Sequence, residues 1–452
     1  MAKTLAEKLC KDDWRYNACR WFWSTPNHSR YYRRVHVMGK ENIPKKGPLI
    51  YAANHQNALM DAMAIVGTQR HQTVFVARAD IFKKPLVIKI LHFLRILPIY
   101  RKRDGGNSYD NNQETFEIVD QILRAGRVHG ILPEGVYNPC KRLARLQKGI
   151  FRTALKAQEI HGTEGGVQIV PVGLNYQDPK AFFKDLTIVY GKPISVAEYF
   201  PLYQENPAKA YLAMQEKLSI EMRKLMIDIH SETHYTTIEN FRETFGYDYA
   251  QATNRNPSNP KERLEAEQDL VKKLDAIAEQ DEAKMQTLEQ TFSQYRSGLQ
   301  KLNIRSWLLR NPKLPWYELL EDLGVLLLGF PIAMLGCILG FLPLTMARKY
   351  ERLIKDPQFL SSTRYVVSSA VRGLQNLVLI IVALFIHTNI LHLVLMLALI
   401  WYAERLMLFY VQHYRRTLGK WRYFGLLRKS DALLNELKML RNQLLSITQE
   451  TR

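Results

Sequence analysis

Hydrophobic and polar positions change rhythm three times along this chain. Between Val35 and about Ile194, short apolar runs (Pro48 to Ala53, Thr73 to Ala79, Ile96 to Tyr100, Val128 to Leu132, Gln168 to Leu174, Thr187 to Tyr190) alternate with longer stretches such as Lys84 to Leu94 and Tyr109 to Ala125. Apolar runs of strand length separated by helical stretches predict an α/β domain with a largely buried sheet. Residues 198 to 303 are polar and helix-prone, broken at Asn254-Arg255-Asn256-Pro257-Ser258-Asn259-Pro260. Leu264, Leu270, Leu274, Ile277, Met285, Leu288, Phe292, Tyr295 and Leu299 recur at helical spacing. They predict an amphipathic helical pair, with a coiled-coil interface as the alternative.

After Trp316 the chain turns strongly apolar. Leu323 to Leu344 is long enough to span a bilayer but is interrupted by Pro331, Gly336 and Gly340, and Leu374 to Val411 exceeds one span and carries His387-Thr388-Asn389 near its middle. Basic residues flank these segments: Lys301, Arg305, Arg310 and Lys313; then Arg348, Lys349, Arg352, Lys355, Arg364 and Arg372; then Arg415, Arg416, Lys420, Arg422, Arg428 and Lys429. All three groups reach the cytosolic side only if Leu323 to Leu344 is a re-entrant or interfacial hairpin and Leu374 to Val411 a two-span hairpin. The expected division is a membrane-interface arm over 1–32, a catalytic domain over 33–200, a helical extension over 201–315, membrane-embedded hairpins over 316–411, and a basic amphipathic cytosolic tail over 412–452. The arm, with Trp14, Trp21, Phe22 and Trp23 among basic residues, either lies on the bilayer or packs on its own domain.

Composition sharpens this picture. Lys and Arg number 63 against 43 Asp and Glu, a net charge of +20 that implies an anionic partner. The apolar C-terminal third selects anionic membrane lipid over nucleic acid, which has no use for it. Four cysteines without paired metal spacing suit a reducing compartment. The N-terminal residues lack the apolar core of a signal peptide, so an integral membrane protein with its catalytic domain on the cytosolic face is expected.

Candidate chemistry centres on Asn54-His55-Gln56-Asn57-Ala58-Leu59-Met60-Asp61. The strand Pro48 to Ala53 ends in this motif, and Asn57 is the expected N-cap of a helix from Ala58 to Gly67. His55 then stands at a strand-to-helix turn with a carboxylate one turn inside the helix. That pairing suits a general base: imidazole accepts a proton near neutrality if a fixed anion holds its tautomer. Further blocks follow at Leu97-Pro98-Ile99-Tyr100-Arg101, Ile131-Leu132-Pro133-Glu134-Gly135 and Ile169-Val170-Pro171-Val172.

In this order, and with the approach Val37-Met38-Gly39-Lys40-Glu41-Asn42-Ile43-Pro44, the blocks resemble those of the glycerolipid acyltransferases of the PlsC-like kind over roughly Arg33 to Ile194. Two departures stand out. Five residues separate His55 from Asp61 where the family usually has four, a spacing similar to some glycerol-3-phosphate acyltransferases. The third block continues Gly135-Val136-Tyr137-Asn138 where the family usually has Gly-Thr followed by Arg or Ser, and Lys141, Arg142, Arg145 and Lys148 are the candidates to supply positive charge instead.

The resemblance implies an α/β acyltransferase domain with a mixed sheet flanked by helices, followed by an α-helical extension and C-terminal membrane helices. It implies His55 as base, Asp61 as its orienter, Arg101 as ligand of the acceptor's phosphate, Glu134 and Gly135 in the acceptor pocket, and Pro171 near the acyl donor. The implied reaction moves a fatty acyl group from acyl-CoA or acyl-ACP (acyl carrier protein) to glycerol 3-phosphate or dihydroxyacetone phosphate, without a cofactor. Lysophosphatidate is the alternative acceptor. No Gly-x-Ser-x-Gly elbow is present, against a serine-nucleophile mechanism. His230 and His234 have the spacing of a helical metal pair but lack a third ligand nearby, so no metal site is expected. A catalytically silent lipid-binding or membrane-remodelling protein is the reading from a different class.

Overall fold

The computed structural model describes residues 2–100, 108–311, 313–386 and 389–449. The chain divides into two units, Met1–Asp228 with Ile354–Ser362, and Ile229–Leu353 with Thr363–Arg452.

The first unit begins with α1 (Ala2–Leu9), α2 (Trp14–Cys19) and α3 (Thr25–Tyr31). The arm packs on its own unit through Ala6, Leu9, Tyr16 and Tyr31, which are buried, whereas Trp14 is 76 % and Phe22 87 % exposed. An eight-stranded sheet follows, formed by β1 (Arg34–Met38), β2 (Leu49–Ala53), β3 (Val74–Arg78), β4 (Ile96–Ile99), β5 (Val128–Ile131), β6 (Gln168–Tyr176), β7 (Asp185–Tyr190) and β8 (Ile194–Ser195). The order is β1-β7-β6-β2-β5-β3-β4, with β8 beside β6. β2 to β6 are mutually parallel, while β7 and β8 run antiparallel to β6, so the sheet is mixed.

Parallel neighbours need crossover connections, supplied by α4 (Leu59–Val66), α5 (Pro85–Phe93), α6 (Ser108–Arg124) and α7 (Gly149–Gln158). Helices on the faces explain why every residue of β2 is buried. The unit closes with α8 (Phe200–Glu205) and α9 (Pro207–Arg223), the latter burying Ala210, Met214, Leu218 and Met222 at intervals of one turn. The parallel arrangement brings the ends of β2, β3, β4 and β5 to one sheet edge.

The second unit is helical. α10 (Tyr235–Ala252), α11 (Pro260–Gln280), α12 (Glu282–Lys301) and, after three apolar helices, α16 (Ala432–Gln449) pack around Phe241, Phe245, Leu274, Leu288, Phe292 and Leu437. The apolar helices are α13 (Trp316–Glu351), α14 (Leu360–Phe385) and α15 (Ile390–Arg428). Each is long and apolar enough to cross a membrane. Leu328 and Phe385 are 83 % and 78 % exposed on them, a surface that suits lipid.

One sequence expectation needs correction here. Leu323 to Leu344 is not a hairpin but part of the continuous α13. Its glycines mark close helix packing: a Cβ on Gly336 would lie 2.2 Å from the Ala403 carbonyl of α15, and Gly340 faces Glu404 one turn away. Several of the flanking basic residues are also paired. Arg372 is buried against Glu404 at 2.5 Å and donates to the Leu339 carbonyl at 3.0 Å, tying α14 to α15 and α13. Arg310 pairs with Asp248, Arg364 with Glu351, and Lys420 with Asp322. The expected turn at His387-Thr388-Asn389 falls partly outside the described residues; α14 ends at Phe385 and α15 starts at Ile390.

Candidate active site

β2 delivers its last buried residue, Ala53, to the sheet edge, and Asn54 fixes the exit. Its side chain accepts from the Leu174 amide at 2.7 Å and donates to the Leu174 carbonyl at 3.0 Å, locking the turn to β6. His55 follows, partly exposed, with its Nδ1 2.8 Å from Asp61 Oδ2. Asp61 is fully buried and its charge is met on both oxygens. Oδ2 also accepts the Asn57 amide at 2.8 Å, and Oδ1 accepts the Tyr176 hydroxyl at 2.7 Å. Burial, reinforced by the neighbouring Asp61 charge, pushes the Tyr176 hydroxyl well above its ordinary range, so it stays a donor.

With Nδ1–H donated to Asp61, the second ring nitrogen of His55 is left as the basic one. The arrangement can take a proton from a hydroxyl and return it to a leaving group. The expected N-cap differs. α4 begins at Leu59, Ala58 adopts φ 44° and ψ −121° just before it, and the Asn57 side chain donates to the Pro179 carbonyl at 2.8 Å. The extra residue between His55 and Asp61 is absorbed in that turn, at a backbone conformation an alanine adopts only under local constraint.

Glu134, in the turn just beyond β5 and beside β2, points its carboxylate at the backbone. Oε1 accepts the His55 amide at 2.7 Å and Oε2 the Ala144 amide at 2.9 Å. Burial raises its pKa, and these amide donors oppose the rise. Gly135 has φ +69°, and a Cβ there would meet Gln147 Cγ at 2.9 Å, so the block turns where only glycine fits easily. Lys148 is exposed at the start of α7, immediately after Gln147, whose amide donates to the Pro133 carbonyl at 2.7 Å.

Pro171 lies inside β6 in register with Ala52. Its missing N–H falls in the gap between the β8 and β7 pairings, where the Gly191 amide donates to its carbonyl at 2.9 Å. It belongs to the sheet beneath the histidine rather than to the histidine's hydrogen-bond network. Arg101 lies outside the described residues. His230 and His234 are in the other unit, where the His234 ring sits 3.0 Å from Glu289 and 3.1 Å from Glu282.

Three contributors escape the sequence reading. Tyr176 gives no local sign that it meets Asp61, 115 residues away. Arg78 closes β3 on the same edge as His55 and Glu134, paired with Asp80. A cation directly after a buried strand run was its available signal. Tyr137 sets its ring edge-on to His55, centroids 6.4 Å apart.

Residues 34–175 match the family model described as Acyltransferase. A 1-acyl-sn-glycerol-3-phosphate acyltransferase of Borreliella burgdorferi (strain ATCC 35210 / DSM 4680 / CIP 102532 / B31) is 29 % identical over 163 residues, which are 36 % of this chain and 58 % of that protein. The chain thus spans little more than half the length of this relative. A crystal structure of the 1-acyl-sn-glycerophosphate (LPA) acyltransferase PlsC from Thermotoga maritima overlaps 45 % of this chain and 78 % of that one, at 20 % identity and a TM-score of 0.33. The matched segment spans β1 to β6 and includes His55, Asp61 and Glu134, and it is over residues 34–175 that this chain is similar to the acyltransferase family.

Proposed function

We propose that this protein is a membrane-bound O-acyltransferase of phospholipid synthesis, with its catalytic domain on the cytosolic face, that moves a fatty acyl group from a thioester donor to a hydroxyl of a phosphorylated glycerol. The observation that carries this reading is His55 held on buried Asp61 at 2.8 Å within the matched segment. The His55 nitrogen opposite Asp61 takes the acceptor hydroxyl's proton as the oxygen attacks the thioester carbonyl. The tetrahedral adduct then expels the thiolate, which leaves with that proton, giving ester and free thiol. Asp61 stabilises the transient imidazolium. The donor is acyl-CoA or acyl-ACP. Arg101, next but one after β4 in sequence, and Arg78, the last residue of β3, are the proposed cations for the acceptor's phosphate, because guanidinium grips phosphate with two donors. Glu134 shapes the site through the His55 backbone.

For the acceptor, the long spacing between His55 and Asp61 favours glycerol 3-phosphate or dihydroxyacetone phosphate. The name of the Borreliella relative favours 1-acylglycerol 3-phosphate, the second reading. Purified protein in detergent, given radiolabelled acyl-CoA or acyl-ACP with each acceptor in turn, separates them. Label in a phosphorylated glycerolipid supports acyl transfer, and the acceptor consumed fastest identifies the reaction. Hydrolysis of the donor without transfer to any of the three contradicts the proposal.

A further inference from the structure

The residues joining α13 to α14, together with the first three of α14, belong to the catalytic unit: Ile354–Ser362 group with Met1–Asp228. Asp356 caps the short turn Pro357–Phe359 by accepting the Gln358 amide at 3.2 Å. The Arg78 guanidinium lies over the Phe359 ring, 5.3 Å from its centroid. Ser361 and Ser362 are 2 % and 7 % exposed, burial that a hydroxyl tolerates only with a partner.

Their partners are at the head of the catalytic helix. The Ser361 hydroxyl donates to the Pro179 carbonyl at 2.6 Å, and the same carbonyl accepts Asn57 Nδ2–H at 2.8 Å. Ser362 Oγ accepts the Leu59 amide at 3.3 Å. That amide is the first donor of α4, and the position before it is Ala58, which has no side chain able to cap. The helix that carries Asp61 two residues further on is therefore capped from 303 positions away in the chain. Asp356 also reaches this place electrostatically: Tyr137, whose hydroxyl burial pushes up, feels Asp61 and then Asp356.

We propose that residues 354–362 are a strap that positions the His55–Asp61 pair, with Ser362 as the distant cap of α4 and Ser361 fixing the Pro179 joint that holds Asn57. The mechanism is geometric. Without the cap, the first turn of α4 frays, Asp61 loses its fixed distance to the imidazole, and the base is less well oriented. Ser361 and Ser362 are positioning residues with no contact to substrate. The kinetic part of this inference rests on the acyltransferase reading; the structural part does not.

The test compares full-length purified Ser362→Ala, Ser362→Thr and Ser361→Ala with wild type, by hydrogen exchange of the backbone and by steady-state kinetics. Ser362→Ala is expected to speed exchange over residues 57–61 while leaving β2 protected. It should lower kcat about tenfold with both KM values within about twofold, since an orienting contact is lost and no substrate contact changes. Ser362→Thr keeps the hydroxyl and should restore exchange and kcat, and Ser361→Ala should act in the same direction as Ser362→Ala. Unchanged exchange and kcat in Ser362→Ala overturn the strap, as does loss of protection throughout the unit, which would mark a merely structural contact. If wild type transfers no acyl group, the functional reading fails and exchange at 57–61 alone decides the strap.

Discussion

At the scale of the residue, the site is organised by carboxylates that face inward to the protein. Glu134 is the instructive case. Its place in the third block suggested contact with the acceptor, yet both its oxygens are bonded to backbone amides, those of His55 and Ala144. Glu134→Gln puts an amide donor against one of those N–H groups, so kcat should fall about tenfold or more while the acceptor KM hardly moves. A selective rise in acceptor KM would return Glu134 to the substrate pocket. Two histidines elsewhere in this unit set its acid sensitivity. Burial holds His28 and His129 as neutral imidazoles, each lowered to about 4. In the unfolded chain each titrates near 6.5, so the unfolded state binds more protons between the two values. Stability from this source is complete above about 6.5 and is lost as pH falls toward 4, by roughly 3 kcal/mol per histidine. Urea midpoints at pH 7 and 4.5 should show His129→Gln losing less stability on acidification than wild type. An equal loss in the two proteins contradicts the assignment.

At the scale of the element, a buried ion pair joins the apolar helices. Arg372 of α14 meets Glu404 of α15, both 2–3 % exposed in the folded chain. Removing one partner strands the other charge, so Arg372→Leu should destabilise the helical unit by about 3 kcal/mol or more, and Arg372→Leu with Glu404→Leu should recover most of it. Thermal unfolding in one detergent reads this directly; a double variant no better than the single one contradicts a coupled pair. The sequence was most legible where a single element decides the outcome. β2 to β7 follow from apolar runs, and His55 with Asp61 from local spacing, because strand burial and one helical turn are short-range properties. Legibility ended where distant segments meet. The glycines of α13 read as interruptions because their partner, Ala403, lies 67 positions from Gly336. The N-cap expected at Asn57 went elsewhere because Pro179 competes for its side chain, and Ser362 takes over the capping of α4. Arg372 counted as a flanking charge for want of any local sign of Glu404.

At the scale of the whole molecule, a domain similar to the acyltransferase family, a helical bundle and, among the described residues, three membrane-length helices share one basic chain of net charge +20. Charge bias predicts that the basic segments before α14 and after α15 face the cytosol, with the α14–α15 pair crossing out and back. Single cysteines at Lys355 and Lys429, in a protein without the four native ones, should be labelled by an impermeant reagent only when the cytosolic face is opened, and a cysteine at Thr388 should show the opposite access. Labelling of the Lys355 site from outside contradicts that topology. The central claim is acyl transfer driven by His55, and the most direct test is the rate of label transfer from a radiolabelled acyl thioester to a phosphorylated glycerol acceptor by wild type and His55→Ala, both purified and matched for folding by circular dichroism. The account predicts a labelled glycerolipid from wild type and a rate lower by about a hundredfold or more from the variant, as expected for removal of a general base. A folded His55→Ala protein that turns over within a few fold of wild type contradicts it.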